Sequence, residues 1–284
     1  MTGMPAGRRG FRSPAGLLAV GALAFSALLA APVFPHNLQD KVPPQVGVDE
    51  RLGARIPGDL PFRDQAGRSV LLSDYFTGAP VILTLNYFAC PTLCPLVFRN
   101  LAGTAARMGD LALGRDFRIV TVSINPDESA ALAREKSAST YAMLAGAADP
   151  GSSWPFLMGS QGSIERLAGV AGVRYTRLSQ DDFAHPNVII ILTPDGRVSR
   201  YLYGLELQPR DLKLALLEAS GGRIGATNLM NRALLYCYHY DPVGKKYVLF
   251  ASRLMTLSML AVLLLTLGLL AFLWKRERKA PPPA

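Results

Sequence analysis

The stretch Leu83-Thr84-Leu85-Asn86-Tyr87-Phe88-Ala89-Cys90-Pro91-Thr92-Leu93-Cys94-Pro95 decides the fold. Its apolar first half reads as a buried strand. It empties into two cysteines spaced four apart and bracketed by prolines, where a strand should hand over to a helix. The helix is predicted from Leu93 to Met108, because Leu93, Val97, Leu101, Ala105 and Met108 share one face. The chain has 3 cysteines and 3 histidines in 284 residues. Two of those cysteines meet here, so thiol chemistry or soft-metal binding is the first expectation.

Working outward, Pro61 to Leu72 reads as a hairpin around a glycine-bearing turn. Val81 to Phe88 and Phe117 to Ile124 read as buried strands. Asp127 and Glu128 are predicted to open a helix that reaches about Leu144. A short strand at Phe156 to Met158 and a short helix at Ser163 to Val170 follow. Asn187 to Thr193 reads as a third core strand, turned by Pro194-Asp195-Gly196 into Val198 to Tyr203. Pro209 starts a last helix, with Leu212, Ala215, Leu216 and Ala219 as its apolar stripe and Gly221-Gly222 as its end. Strands alternating with helices imply an α/β fold with a central mixed sheet. Cysteines at the helix start after a core strand are the thioredoxin-like plan.

The two ends of the chain carry the excess of apolar residues and most of the net charge of +9. Arg8, Arg9 and Arg12 precede an Ala/Leu-rich run, so residues 1–34 read as a signal peptide or an N-terminal anchor. Leu254 to Trp274 carries no charge, and Lys275-Arg276-Glu277-Arg278-Lys279 follows it. That pattern predicts a transmembrane helix whose C-terminal side is cytoplasmic. Tyr236, Tyr238, Tyr240 and Tyr247, just before the span, are expected in the outer aromatic belt. The expected organisation is then a signal or anchor at 1–34, a linker at 35–45 and a thioredoxin-like domain at 46–222. A juxtamembrane segment at 223–247, a membrane helix at 248–274 and a basic tail at 275–284 complete it. The domain would face the periplasm, or the outside, of a bacterial cytoplasmic membrane. With the basic residues gathered at the membrane flanks, no nucleic-acid surface is expected.

Three residues separate Cys90 from Cys94, where a dithiol oxidoreductase usually has two. The wider bite favours chelation without forbidding a disulfide. A helix N-terminus would lower the thiol pKa values. Two thiolates need a further ligand, and a neutral imidazole would complete a set suited to Cu(I) and tolerable to Cu(II). Structural zinc normally takes four protein ligands, and the domain offers three. His185, in Asp181-Asp182-Phe183-Ala184-His185-Pro186, is the histidine inside the domain. The plainer reading is a hydrogen-bonded loop histidine.

Asn86 to Pro95, with Val120-Thr121-Val122-Ser123-Ile124-Asn125-Pro126, His185 and Pro194-Asp195-Gly196, resembles the Sco/SenC family of copper chaperones. The resemblance covers roughly residues 50 to 220. It implies a thioredoxin-like fold and copper bound by Cys90, Cys94 and His185. It also implies supply of copper to the binuclear site of cytochrome c oxidase subunit II, or reduction of that subunit's cysteines. Asn125 stands where many relatives carry Asp, and Pro186 where a small hydroxyl residue is common. The C-terminal span resembles that of a bacterial subgroup. Cys237 and His239 could form an auxiliary copper site at the bilayer, or be passengers in the aromatic cluster. His36 reads as a solvated linker residue. The alternative function is a membrane-tethered thiol-disulfide oxidoreductase or thiol peroxidase, with Cys90 and Cys94 as its redox pair. An assembly factor that merely docks is a third reading.

Overall fold

The computed structural model describes residues 45–144, 149–221, 238–241, 244–249 and 251–277. Cys237, His36 and the expected signal or anchor at 1–34 lie outside the described residues.

The centre is a sheet of seven strands in the order β11-β10-β4-β5-β6-β2-β3. The strands are β2 (Pro61–Arg63), β3 (Ser69–Leu71), β4 (Val81–Asn86), β5 (Arg118–Ser123), β6 (Phe156–Gly159), β10 (Val188–Leu192) and β11 (Val198–Tyr203). Shorter pairs join β1 (Gly47–Val48) to β7 (Val173–Arg174) and β8 (Thr176–Arg177) to β9 (Phe183–Ala184). β4, β5 and β6 run parallel, and β10, β11, β2 and β3 add antiparallel flanks. The expected mixed α/β sheet is therefore present. Every residue of β4 is buried, as a strand covered on both faces requires.

Helices α1 (Leu93–Ala106), α2 (Ala130–Tyr141), α3 (Pro150–Ser153), α4 (Gln161–Val170) and α5 (Pro209–Ala219) supply the crossovers and the cover. α1 buries Val97, Leu101 and Ala105 as its period predicts, but Leu93 is exposed. α2 starts later than expected. Ser129 caps it by accepting from the Leu132 N–H, which leaves Asp127 and Glu128 outside the helix. Gly221 takes φ +61° after α5, the left-handed turn that ends a helix at low steric cost.

Two polar side chains of the core share one acceptor. The Thr84 hydroxyl donates to Thr121 Oγ1 at 2.9 Å, and Trp154 Nε1 donates to the same oxygen at 2.9 Å. This ties β4, β5 and the segment before β6 together beneath the cysteine end of the sheet.

The C-terminal segment departs from expectation. β12 (Tyr238–Asp241) and β13 (Lys246–Leu249) form a hairpin that packs on the domain. Tyr240 and Tyr247 are 6% and 4% exposed and belong to the main core. The Tyr240 hydroxyl donates to the Tyr201 carbonyl at 2.9 Å, and the Tyr247 hydroxyl to Glu218 Oε2 at 2.8 Å. Arg200 stacks over Tyr240, Arg210 over Tyr238 and Lys245 over Tyr203. Tyr240 and Tyr247 are thus not lipid-belt residues. Cationic and aromatic partners on β11 and α5 give their rings a better-packed place. The packed domain continues past residue 222 into this hairpin.

Helix α6 (Ala251–Glu277) follows. The expected transmembrane helix is not supported there, since among the described residues no helix is long and apolar enough to cross a membrane.

Candidate metal centre

β4 delivers the cysteines. At its end the chain turns tightly, the Cys90 N–H donating to the Tyr87 carbonyl at 3.4 Å, and α1 begins three residues later. The N-cap residue Thr92 makes no side-chain cap. Instead the Cys94 N–H donates to Cys90 Sγ at 3.4 Å. The Cys90 sulfur thus caps the helix that carries Cys94. Both cysteines are free thiols and buried.

The two thiols differ in acidity. Burial pushes the Cys90 thiol up, but the N–H groups of Cys94 and Thr92 and the Cys94 thiol outweigh it, so the pKa is lowered. Burial dominates at Cys94 and pushes it up to about 12, with the Cys90 sulfur adding to the rise. The expectation that the helix end lowers both thiols holds for Cys90 alone.

β10 delivers the histidine. Its ladder with β4 is antiparallel, Ile189 facing Thr84 and Leu192 facing Val81. The start of β10 therefore lies at the same sheet edge as the end of β4. A parallel neighbour would put that loop at the opposite edge. His185 Nε2 consequently sits 3.8 Å from Cys94 Sγ. Its Nδ1 lies 3.2 Å from the Pro186 carbonyl, which can only accept, so the network assigns the proton to Nδ1 and leaves the Nε2 lone pair toward the sulfur. Burial lowers the His185 pKa, partly opposed by that carbonyl. A neutral imidazole with a free Nε2 is the ligand form.

Other residues fix the loops. The Tyr87 ring meets His185 edge-on at 5.8 Å, and its hydroxyl donates to Asp182 Oδ1 at 2.8 Å. Tyr87 thereby clasps the histidine loop to the cysteine strand. Glu128 Oε1 accepts the Ala89 N–H at 2.7 Å, and Oε2 accepts the Ser123 hydroxyl. Burial raises the Glu128 pKa against these hydrogen bonds. Asn86 Nδ2 donates to Cys94 Sγ at 3.8 Å. Asn125 makes a local turn, its Oδ1 accepting the Asp127 N–H at 3.0 Å.

Among the described residues no three His, Cys, Asp or Glu side chains already surround one metal position. The Cys94–His185 contact is made, and Cys90 is turned to the Cys94 amide. Two thiols and an unprotonated imidazole nitrogen nevertheless fit a soft ion. Of the auxiliary pair, His239 lies in β12 opposite Val248, and Cys237 is outside the described residues.

The SCO1/SenC family sequence model matches residues 48–217. The chain belongs to the SCO1/SenC family. The SCO1 protein homolog of Bacillus subtilis (strain 168) is 25% identical over 153 residues, 53% of this chain and 75% of that protein. A crystal structure from Aquifex aeolicus VF5 aligns at 25% identity with a TM-score of 0.54, covering 61% of this chain and 96% of that one. It shares the mixed α/β, thioredoxin-like plan. The copper-bound ScoI of Arabidopsis thaliana aligns at 20% identity and a TM-score of 0.46, over 55% of this chain and 92% of that one.

In this SCO1/SenC chain the sequence reading brought Cys90, Cys94 and His185 forward. It missed Asn86, Tyr87, Glu128 and Asp182. Asn86 and Tyr87 stand inside the decisive stretch, and a polar pair closing an otherwise apolar strand was their signal. Glu128 was masked by its resemblance to a helix-opening acid.

Proposed function

We propose that the chain is a membrane-tethered copper metallochaperone that holds copper through Cys90, Cys94 and His185. Its client in this reading is the binuclear copper site of cytochrome c oxidase subunit II, by copper delivery or by reduction of that site's cysteines. The observation that carries the reading is the 3.8 Å approach of Cys94 Sγ to His185 Nε2. A strand and a loop far apart in sequence are folded to put a thiol against an imidazole lone pair. Cys90 completes the set by turning its sulfur from the Cys94 amide. Membership of the SCO1/SenC family supports the copper reading.

Tethering is assigned to α6, which exposes Met255, Met259, Leu263, Leu265 and Phe272. A helix with apolar side chains exposed around it is a poor fit to water. In this reading the domain lies at the outer face of a bacterial cytoplasmic membrane.

A second reading, thiol-disulfide exchange, is favoured by the acidity difference between Cys90 and Cys94. A low-pKa thiol beside a high-pKa one is an attacking and resolving pair. Replacing His185 by Ala separates the two. Loss of copper with dithiol exchange intact supports metal carriage, and loss of neither removes His185 from the site.

A further inference from the structure

The ladder between β4 and β10 runs from Val81 and Leu192 to Thr84 and Ile189, and an asparagine follows on each side. Thr84 faces Ile189, and two residues on the same antiparallel register sets Asn86 against Asn187, on the Thr84 face of the sheet. Among the described residues, the buried side-chain polar atoms without a hydrogen-bond partner are Asn86 Oδ1, Asn187 Nδ2 and the Tyr175 hydroxyl. Two of these three stand where the cysteine strand meets the histidine loop. Asn86 is 3% exposed, and the other end of its carboxamide touches Cys94 Sγ. A buried amide oxygen left without a partner is costly, and this one adjoins a soft-metal donor set.

We infer that Asn86 is a further residue of the metal centre, its carboxamide oxygen serving as a fourth donor to Cu(II) and not to Cu(I). The inference rests on the copper reading above. Cu(I) is served by two thiolates and an imidazole, whereas Cu(II) takes tetragonal sites that accept nitrogen and oxygen donors. Two thiolates already balance the charge of Cu(II). A neutral amide therefore adds a ligand without leaving net charge in a buried place, which a carboxylate would do. Turning the amide about its last torsion exchanges Oδ1 and Nδ2, a soft two-fold rotation. It gives up only the long contact to Cys94. Asn86 would thus set the preference of the centre between the two oxidation states.

The test uses the full-length protein in detergent, loaded separately with Cu(I) and Cu(II). Asn86→Ala should weaken Cu(II) about tenfold, the lower end of what supporting residues at metal sites contribute. It should also shift the Cu(II) electron paramagnetic resonance spectrum and remove one oxygen or nitrogen scatterer from the X-ray absorption. Cu(I) affinity should stay unchanged, which also reports that the variant folds. If Asn86→Ala does not fold, the near-isosteric Asn86→Leu replaces it. Asn187→Ala should leave both ions as they were. An unchanged Cu(II) spectrum in the Asn86 variant overturns the inference. So does equal weakening of both ions, which would make Asn86 only a hydrogen-bond donor to Cys94. The same loss in Asn187→Ala would reduce the two amides to a structural pair. If wild type binds neither ion, the copper reading itself falls and takes the inference with it.

Discussion

Cys94 Sγ and His185 Nε2 meet at 3.8 Å across 91 residues of chain. The antiparallel pairing of β10 with β4 is what makes them meet, because it returns the histidine loop to the edge where the cysteine strand ends. Tyr87 then holds the juncture, with its ring against His185 and its hydroxyl on Asp182.

The first prediction concerns the two thiols of the reduced, metal-free protein. Cys90 is lowered and Cys94 raised to about 12, so as pH rises Cys90 becomes a thiolate first. At about pH 8, near the ordinary thiol pKa of about 8.5, iodoacetamide should label Cys90 and leave Cys94 largely untouched. Peptide mass spectrometry reads the site. Equal labelling would mean that Cys90 does not cap α1.

Glu128 is expected to hold the cysteine loop. Glu128→Ala removes the acceptor of the Ala89 amide and one of the two acceptors of the Ser123 hydroxyl, and a hydrogen bond to a charged group contributes about 1.5–3 kcal/mol. The melting temperature should fall, and amide exchange at Ala89 should quicken. Wild-type exchange in the variant would show that the loop stands without it.

A buried hydroxyl carries a comparable load in the core. Thr121→Val keeps the shape but removes the oxygen that receives both Thr84 and Trp154. Denaturant unfolding should show a loss of about 1–3 kcal/mol, with the copper site unaltered. No loss would mean that Trp154 finds another acceptor.

The hairpin should prove integral to the domain. Tyr247→Phe removes the bond to Glu218 and should cost about 1 kcal/mol. Tyr247→Ala, which empties a core position, should cost about 3–5 kcal/mol by analogy with other aromatic truncations. A chain ending at residue 222 should melt below one ending at residue 249. Equal melting would return Tyr240 and Tyr247 to the solvent or lipid side.

Much of the domain was legible because its strands are continuous apolar runs and its helices keep a 3.6 period. Val198–Tyr203 and the start of α5 at Pro209 fall where the pattern placed them. The ribbons β1–β7 and β8–β9 escaped, since two-residue strands have no period to read. Asp127 and Glu128 looked like helix openers because acids suit a first turn, yet Ser129 takes the cap and frees Glu128 for a long-range bond. Tyr240 and Tyr247 misled for a related reason. Tyrosines beside an apolar run suit a membrane interface, and only the folded partners Glu218, Arg200 and Tyr201 show that they belong to the core. The cysteines and histidine were legible as scarce reactive residues. Their juxtaposition depended on strand direction, which side-chain periodicity does not encode.

The most direct test of the central claim is copper stoichiometry with X-ray absorption on the reduced full-length protein in detergent. The account predicts a single tightly held copper per chain with two sulfur and at least one nitrogen scatterer. Cys90→Ser, Cys94→Ser and His185→Ala should each weaken it sharply. Oxidation of Cys90 and Cys94 to a disulfide should release Cu(I), because no thiolate remains to bind it. Undiminished copper in any of these three variants, or copper retained by the oxidised protein, would contradict the account.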